Sequence, residues 1–398
     1  MSLRLAERSR WVAPSATMAM AAEAARLKAT GVEVFDFSLG EPDFPTPEHI
    51  CQAAERAIRD GKTHYTPAAG IPELRAAVAR HYASSVGLPV EPQHVIVSNG
   101  AKHSIHNALM ALCGPGDEVI IPSPYWVSYA ELVRLTGAEP IILETTEEEG
   151  FILSPERFLE AVTPRSKLLM LNSPSNPTGV VYPRSALEAL ADAVLTTEVG
   201  VISDEIYEEL LYGDAEAHCF AGLRPGLADR TITISGVSKT YAMTGWRIGW
   251  AVAPPAVSKF MGALQSQETS NPCSISQWAA LEAITGPKDP IRGMLAEFSK
   301  RRDYVIDRIK GLKNVSCIPP QGAFYAFMNV ERHFGRTLGG EPITDSTSFC
   351  QAALRSVNVA MVMGSAFGAE GFARVSFATS IETLERGFDA LGRFLDGE

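Results

Sequence analysis

The chain has no long apolar run and few cysteines. None of its apolar stretches approaches the roughly 18 residues that a membrane helix requires. Near the amino end, Glu23 and the polar residues around Ser15 and Thr17 interrupt the apolar pattern, so we expect no signal peptide. The six cysteines include no pair spaced as Cys-x-x-Cys. We therefore expect reduced thiols and a cytoplasmic protein without a membrane partner.

Positive charge is also in short supply. The chain has 35 Lys and Arg against 46 Asp and Glu, which gives a formal net charge of -11. A nucleic-acid partner or an anionic membrane would favour a basic surface, so we expect neither. His103 and His106 are close enough to share a helix face, but no carboxylate or cysteine motif accompanies them. We therefore predict no metal site.

The middle of the chain alternates short apolar runs with amphipathic segments such as 186–194. Runs that are apolar at nearly every position are typical of strands covered on both faces. The pattern predicts an α/β domain over residues 48–285, with a mostly parallel mixed sheet flanked by helices. The predicted strands are residues 94–97, 118–121, 140–143, 168–171, 200–203, 232–234 and 248–252.

The pattern changes after Gly286-Pro287. A long charged helix is predicted at about 291–310, and the remaining segments mix short strands with helices, as in an α+β domain. Together with an N-terminal helix at 18–30, this region predicts a smaller domain made of residues 1–47 and 286–398. Its other predicted elements are strands at 323–328 and 373–377 and helices at 346–356 and 381–395.

Unusual polar and aromatic residues follow five of the predicted strands. In open α/β sheets, ligands bind outside the carboxyl ends of the strands. Turn chemistry explains a single Asn-Pro-Thr-Gly loop but does not explain five such strand ends. The sequence therefore predicts one binding site at this edge of the sheet. The segments are residues 99–102, 124–126, 172–179, 204–207 and 238–239.

Lys239 is the most informative of these residues. It follows a strand, and Arg247 lies eight residues further on. A lysine amine can form a Schiff base with an aldehyde, and a guanidinium can hold a phosphate as a fork. The pair suits an aldehyde cofactor that carries a phosphate. A solvated surface lysine is the alternative for Lys239 taken alone.

The other side-chain types suit pyridoxal phosphate. A carboxylate such as Asp204 can keep a pyridine nitrogen protonated, and Tyr207 and Asn176 can hydrogen-bond a ring hydroxylate. Trp126 can stack on the ring, and the backbone amides of residues 100–102, at the start of a helix, can receive the phosphate. Considered singly, Asp204 could equally be a helix N-cap, and the two aromatic residues could belong to the core.

The chain resembles the fold-type I, pyridoxal-phosphate-dependent aminotransferases of the aspartate aminotransferase family. It is most similar to the subgroup that includes the aspartate/prephenate aminotransferases. The resemblance covers nearly the whole chain. The motifs that carry it include Pro14-Ser15-Ala16-Thr17, Gly40-Glu41-Pro42-Asp43-Phe44, Tyr65-Thr66-Pro67, Ser123-Pro124-Tyr125-Trp126, Ser128-Tyr129, Asn176-Pro177-Thr178-Gly179, Ser203-Asp204-Glu205-Ile206-Tyr207, Ser238-Lys239, Gly245-Trp246-Arg247, Gly322-Ala323-Phe324-Tyr325 and Arg374-Val375-Ser376.

The resemblance implies a role for each motif residue. Lys239 is implied as the Schiff-base lysine and the proton shuttle. Tyr65 is implied to reach the phosphate of a neighbouring subunit, so we expect a homodimer with shared active sites, in which Ser270 and Asn271 also cross the interface. The implied cofactor residues are Gly100, Ala101, Lys102, Trp126, Asn176, Asp204, Tyr207, Ser238, Lys239, Arg247 and Tyr65. The implied substrate residues are Gly40, Trp126, Asn176, Arg374, Lys102, Ser15 and Thr17.

The resemblance implies transfer of an amino group from an L-amino acid, most of all aspartate, to 2-oxoglutarate by a ping-pong mechanism. Ala13 stands where some relatives have a lysine linked to prephenate use, so we expect prephenate to be a poor substrate. Lys102 implies an acidic substrate. Alanine, aromatic or broad specificity, a lyase on the same fold, and a ligand-sensing module of a regulator remain alternatives.

Overall fold

A computed structural model describes residues 3–12 and 16–397. No helix in that part of the chain is long and apolar enough to cross a membrane. The α-helices among the described residues are α1 (Ala16–Ala29), α2 (Glu48–Arg59), α3 (Pro72–Ser85), α4 (Ala101–Leu112), α5 (Ser128–Thr136), α6 (Pro155–Ala161), α7 (Arg184–Leu195), α8 (Pro255–Glu268), α9 (Ser274–Thr285), α10 (Asp289–Lys310), α11 (Ser346–Val357) and α12 (Ile381–Asp396).

The strands are short, and most belong to two sheets. They are β1 (Phe35–Asp36), β2 (Val95–Ser98), β3 (Glu118–Ser123), β4 (Glu139–Glu144), β5 (Ser166–Asn172), β6 (Gly200–Asp204), β7 (Thr231–Gly236), β8 (Gly249–Val252), β9 (Tyr325–Asn329), β10 (Thr337–Leu338), β11 (Glu341–Pro342), β12 (Val359–Ala360), β13 (Val362–Met363) and β14 (Phe372–Ser376).

The larger sheet has the strand order β2-β8-β7-β6-β5-β3-β4. Strands β7, β6, β5, β3 and β4 are parallel neighbours, and β8 is antiparallel to both β7 and β2. Every residue of β7 is buried, as expected for a central strand with helices on both faces. The predicted α/β class with a mostly parallel mixed sheet is confirmed.

The single reversed strand, β8, brings a further segment to the binding edge. Because β8 runs against β7, its amino end lies beside the carboxyl ends of the parallel strands. Arg247 precedes β8 directly and therefore reaches this edge from the opposite chain direction. Strand β2 is antiparallel to β8 and so ends on the same side as β7. All the polar segments predicted to form one site therefore meet at one edge.

The smaller sheet has the order β13-β14-β9 and is antiparallel. Arg374 lies in the middle of its central strand, opposite Val362 on one side and Phe327 on the other. The amino-terminal region joins this part of the molecule because β1 pairs with β12 in parallel. The division of the chain into domains at residues 48 and 285 stays a prediction.

The predicted elements differ from the observed ones mainly at their ends. The predicted strand at 323–328 begins only at Tyr325. Ala323 has a φ of 56°, a left-handed conformation that a strand cannot contain. The long helix α10 starts two residues earlier than predicted, with a proline in its first turn, where a missing N–H is tolerated.

Candidate active site

A cavity of about 390 Å³ lies at the carboxyl edge of the larger sheet, facing the smaller sheet. Both sheets and the loop at residues 38–41 contribute to its walls. Its lining residues are Ala21, Ser38, Leu39, Gly40, Glu41, Ala101, Lys102, Trp126, Tyr129, Asn172, Asn176, Asp204, Ile206, Tyr207, Ser238, Lys239, Thr244, Arg247, Tyr325 and Arg374.

One end of the cavity is formed by the amino end of α4 and by Arg247. Gly100 is the N-cap of α4 and has a φ of 88°, so a side chain there would be strained. A Cβ at this position would also overlap the Arg247 guanidinium. The first-turn amides of Ala101 and Lys102 have no intrahelical acceptor, and the helix dipole adds partial positive charge. This end of the cavity can bind an anion, and we call the α4 amides together with Arg247 the anion seat.

Arg247 is held by backbone oxygens. It has a φ of 57°, its Nη1 donates to the carbonyl of Thr244 at 2.8 Å, and its Nη2 donates to the carbonyl of Asn99 at 3.4 Å. These neutral acceptors leave the full positive charge of the exposed guanidinium available to a ligand. The guanidinium can therefore serve as one side of the anion seat.

Lys239 follows β7 and points into the cavity. Its Nζ donates to the carbonyl of Gly40 at 2.6 Å. Burial lowers the pKa of Lys239 to about 8, against the raising effect of Glu41, and the positive charges of Arg374 and Arg247 lower it further. A measurable fraction of the amine is therefore neutral near pH 7, which is the form that attacks an aldehyde or accepts a proton.

Asp204 ends β6 and is buried. Its Oδ2 accepts a hydrogen bond from the Tyr129 hydroxyl at 2.6 Å, and its Oδ1 accepts from the Ile206 N–H at 3.3 Å. Burial raises the pKa of Asp204 to about 6, against the lowering effect of these two donors and of Lys239. The group is therefore mostly ionised at neutral pH and can pair with a protonated ring nitrogen.

The neighbouring wall is formed by two buried tyrosines and two asparagines, Tyr207, Tyr325, Asn172 and Asn176. The hydroxyls of Tyr207 and Tyr325 lie 3.0 Å apart, and burial raises the pKa of both. The Asn172 Oδ1 accepts the backbone N–H of Asn176 at 2.8 Å. Strand β5 thereby fixes the loop from which the Asn176 side chain enters the cavity.

Arg374 enters the cavity from the smaller sheet and is buried, with 2% of its surface exposed. Its Nη1 donates to Asn176 Oδ1 at 3.0 Å and its Nη2 to the Ser38 carbonyl at 2.8 Å. The Nε has no hydrogen-bond partner among the described residues. The guanidinium lies 4.4 Å from the centroid of the Tyr325 ring and 5.1 Å from that of Phe367.

A buried guanidinium with neutral partners lacks a counter-charge. Burial lowers the pKa of Arg374, which expresses the cost of holding the charge there. An anionic ligand would supply both the missing charge and an acceptor for Nε. This end of the cavity therefore fits a carboxylate, which matches a guanidinium fork in geometry.

Trp126 and Lys102 lie together on the cavity wall. The Lys102 Nζ is 4.8 Å from the centroid of the Trp126 ring. Partial burial lowers the pKa of Lys102, and the positive charge of Arg247 adds to the effect.

A hydrogen bond also fixes the loop at residues 38–41: the Thr244 hydroxyl donates to Glu41 Oε2 at 2.6 Å. This hydrogen bond ties the loop carrying Gly40 to the segment that precedes β8.

The structure brings most of the predicted site residues to this one cavity. The predicted residues that line it are Gly40, Ala101, Lys102, Trp126, Asn176, Asp204, Tyr207, Ser238, Lys239, Arg247 and Arg374. Gly100 is not among them, but it lies against the Arg247 guanidinium. Tyr65 is 90% exposed and does not line the cavity. Ala13 and Ser15 lie outside the described residues, as does the side chain of Thr17.

Sequence reasoning gave no role to several residues that shape the cavity. Tyr129 donates to Asp204, Tyr325 contacts both Tyr207 and Arg374, and Ser38 accepts from Arg374. Tyr129 and Tyr325 belong to motifs that carry the family resemblance, and that was the available signal. Their partners are 75 and 118 residues away in the chain, so only the fold reveals the contacts.

The residues present fit pyridoxal phosphate. The anion seat at α4 suits the phosphate, and Asp204 suits the ring nitrogen. The missing Cβ at Gly100 keeps the space beside Arg247 open. Lys239 lies in the same cavity with a lowered pKa, as a group that condenses with an aldehyde requires.

The sequence matches the model of the family "Aminotransferase class I and II" over residues 32–391. It is 43% identical to an aspartate aminotransferase of Geobacillus stearothermophilus, covering 99% of both chains. It is 45% identical to an aspartate/prephenate aminotransferase of Cereibacter sphaeroides, covering 97% of both chains.

Solved structures agree with the sequence matches. The aspartate aminotransferase from Rhizobium meliloti superposes with a TM-score of 0.96 at 39% identity, covering 100% of both chains. The Thermus thermophilus aspartate aminotransferase with maleate gives a TM-score of 0.92 at 41% identity, covering 99% of this chain and 100% of the other. The chain therefore belongs to the class I and II aminotransferase family, in the aspartate aminotransferase group, whose members depend on pyridoxal phosphate.

Proposed function

We propose that this enzyme transfers the amino group of L-aspartate to 2-oxoglutarate by a ping-pong mechanism. One observation carries the proposal: Lys239 lies in a cavity with an anion seat at α4 and Arg247 and a buried, uncompensated guanidinium at Arg374. A phosphorylated cofactor and an amino acid bound side by side would bring a phosphate to one end of the cavity and a carboxylate to the other. The cavity therefore matches the reacting molecule in charge.

The anion seat and Asp204 would hold the cofactor. The amides of Ala101 and Lys102 and the Arg247 guanidinium would take the phosphate, with Ser238 nearby, while Asp204 would keep the ring nitrogen protonated. Tyr207 and Asn176 would bind the ring hydroxylate, and Trp126 would cover the ring face. When bound, pyridoxal phosphate supplies an aldehyde and a ring that accepts electrons.

Lys239 would move the proton. Burial lowers the pKa of its Nζ to about 8, so the amine can exist in the neutral form near pH 7. A base with such a pKa can accept the substrate Cα proton and return it, as general acid–base catalysis requires. The Gly40 carbonyl, at 2.6 Å from Nζ, would orient the amine between these steps.

The choice of substrate would depend on the groups that meet its side chain. Arg374 and Asn176 would hold the α-carboxylate of any amino acid and so cannot select one. Lys102, beside Trp126, can bind a second carboxylate. A solved relative bears maleate, a four-carbon dicarboxylate, in agreement with a short acidic substrate. Ser15 and Thr17 are proposed to complete the pocket. Because Ala13 stands where some relatives have a lysine linked to prephenate use, prephenate should be a poor substrate.

A panel of amino donors with 2-oxoglutarate tests the assignment. We expect aspartate to give the highest kcat/KM. Lys102→Ala should lower kcat/KM for aspartate by about 10- to 150-fold, the worth of one charge-assisted contact, and leave alanine nearly unchanged. Equal losses for both donors would contradict an acidic-substrate pocket at Lys102. Preferred use of alanine or an aromatic amino acid by the wild type would replace aspartate as the donor.

The same panel separates the remaining alternatives. A lyase would release its product without 2-oxoglutarate, whereas transamination requires an acceptor. A ligand-sensing module would bind cofactor but leave the cofactor spectrum unchanged when amino acids are added. The presence of Trp126, Asn176 and Arg374 in one cavity supports transamination.

We also propose a homodimer with shared active sites. Tyr65 is 90% exposed and lies outside the cavity of its own chain, as expected of a residue that serves a neighbour. Mixing Lys239→Ala and Tyr65→Ala proteins under subunit exchange should restore one working site per hybrid dimer. Unrestored activity after verified exchange would exclude the shared site.

A cytoplasmic location is part of the same proposal. All six cysteines are free, which agrees with a reducing compartment. Cell fractionation with an antibody against the chain would test this, and recovery in a secreted or periplasmic fraction would exclude it.

A further inference from the structure

We propose that His103 is a positioning residue for the cofactor phosphate, held in the required tautomer by Glu268. This inference rests on the proposed function, because it assigns the phosphate to the anion seat at the amino end of α4. It concerns a group that does not line the cavity and would not touch the cofactor.

The geometry connects His103 to the anion seat through one residue, Asn99. His103 lies in the first turn of α4, and its Nδ1 accepts the backbone N–H of Asn99 at 3.3 Å. The carbonyl of Asn99 accepts from Arg247 at 3.4 Å, and Gly100 follows directly as the N-cap. The orientation of Asn99 therefore bears on both components of the seat, the helix amides and the guanidinium.

This arrangement resembles a capping box displaced by one residue. In a capping box, the side chain at the third helical position accepts the N-cap N–H and fixes the entry of the chain into the helix. Here the third residue, His103, accepts from the residue before the N-cap. Gly100, with a φ of 88°, has little conformational restraint of its own, so the restraint must come from its neighbours.

Glu268 decides which ring nitrogen carries the proton. The His103 Nε2 lies 3.3 Å from Glu268 Oε2. Nδ1 can accept from Asn99 only if the proton is on Nε2, and a carboxylate facing Nε2 favours that tautomer. Burial lowers the pKa of His103, against the raising effect of Glu268, so the ring tends to stay neutral and Nδ1 remains an acceptor.

The position of Glu268 supports a role in this contact. It is the last residue of α8, where the helix dipole disfavours a carboxylate. The adjoining Thr269 accepts from the Asn99 side chain at 3.1 Å, so the end of α8 contacts Asn99 directly and through His103. His106 also faces Glu268, at 3.5 Å, and no hydrogen bond joins it to Asn99 among the described residues. His106 is therefore a matched control.

Cofactor binding to the cofactor-free full-length protein tests the proposal. The dissociation constants of pyridoxal phosphate and of pyridoxal, which lacks the phosphate, are measured by quenching of protein fluorescence. His103→Ala should weaken pyridoxal phosphate binding by about 3- to 10-fold, the worth of one hydrogen bond, and leave pyridoxal binding unchanged. His106→Ala should change neither constant by more than about 2-fold.

A conservative variant separates positioning from simple folding defects. In His103→Asn, the amide oxygen can accept the Asn99 N–H, so binding should return to within about 2-fold of the wild type. Equal weakening of both ligands by His103→Ala, or no effect of that variant on pyridoxal phosphate, would overturn the inference. Failure of the wild type to bind pyridoxal phosphate would instead overturn the proposed function, and this inference with it.

Discussion

The two ends of the cavity hold their arginines in opposite ways. Arg247 is exposed, has a left-handed backbone conformation and donates to two backbone carbonyls. Arg374 is buried in the middle of a strand, next to two aromatic rings, and one of its nitrogens has no hydrogen-bond partner among the described residues. One arginine belongs to a seat built mainly from backbone, and the other to a pocket built from side chains.

The difference reflects what each end would hold. A cofactor stays bound through many turnovers, so a preformed seat of helix amides and an exposed guanidinium suffices. A substrate must enter and leave. A buried guanidinium without a counter-charge attracts a carboxylate strongly, but the cost of desolvating the guanidinium offsets part of the binding free energy. Variants at either end should therefore affect one anion site and leave the other intact.

Lys239 belongs to neither anion site, so its loss should abolish chemistry and preserve both. We expect Lys239→Ala to lower kcat by about 10⁴-fold or more, because it removes both the proton carrier and the amine that condenses with the cofactor. Pyridoxal phosphate should still bind. Borohydride reduction of the wild type followed by peptide mapping should place the label on Lys239, and a label on another lysine would contradict the assignment.

Arg374→Lys should impair the use of amino donors and leave cofactor binding intact. Lysine keeps the charge but not the planar fork, so kcat/KM for every amino donor should fall by about 100-fold. The dissociation constant of pyridoxal phosphate should stay within about 2-fold of the wild type. Maleate should raise the melting temperature of the wild type more than that of the variant. Comparable weakening of cofactor and substrate would mean that the two ends are not independent.

Gly100→Ala should weaken the binding of pyridoxal phosphate and leave the Arg374 end of the cavity intact. The new Cβ would overlap the Arg247 guanidinium, and we expect the dissociation constant of pyridoxal phosphate to rise by about 10- to 150-fold, as for loss of a charge-assisted contact. Gly116→Ala is the matched control. Gly116 has a similar φ of 94° but open space around its Cβ position, so this change adds backbone strain without blocking the seat. Equal effects of the two variants on cofactor binding would contradict the overlap argument.

Tyr129→Phe should have the smallest effect and should appear in the pH profile. The Tyr129 hydroxyl lowers the pKa of Asp204, which burial raises to about 6, so its removal should raise that pKa by about one unit or less. A protonated Asp204 cannot pair with a protonated ring nitrogen, so the acidic limb of kcat/KM should move to higher pH. Tyr182→Phe, which alters another buried phenol, should leave the limb in place. A shift to lower pH in Tyr129→Phe would contradict the hydrogen-bond assignment.

The sequence predicted the strand ends and the residues that follow them, because buried parallel strands leave nearly continuous apolar runs. Lys239, Asp204 and Asn176 were found in this way. Tyr129, Tyr325 and Ser38 were given no role, since their contacts join residues far apart in the chain. Tyr65 does not line the cavity and Ser15 lies outside the described residues, so their roles stay predictions.

The α/β class, the cofactor and the placement of most proposed site residues in one cavity could be predicted from the sequence, because apolar periodicity and reactive side-chain types follow from the order of residues alone. Tertiary structure decided which donors meet which acceptors. The reversed direction of β8 brings Arg247 to the carboxyl edge, and the smaller sheet brings Arg374 within 3.0 Å of Asn176, which is 198 residues away. Burial then set the pKa values of Asp204 and Lys239, and burial is a property of the packed molecule.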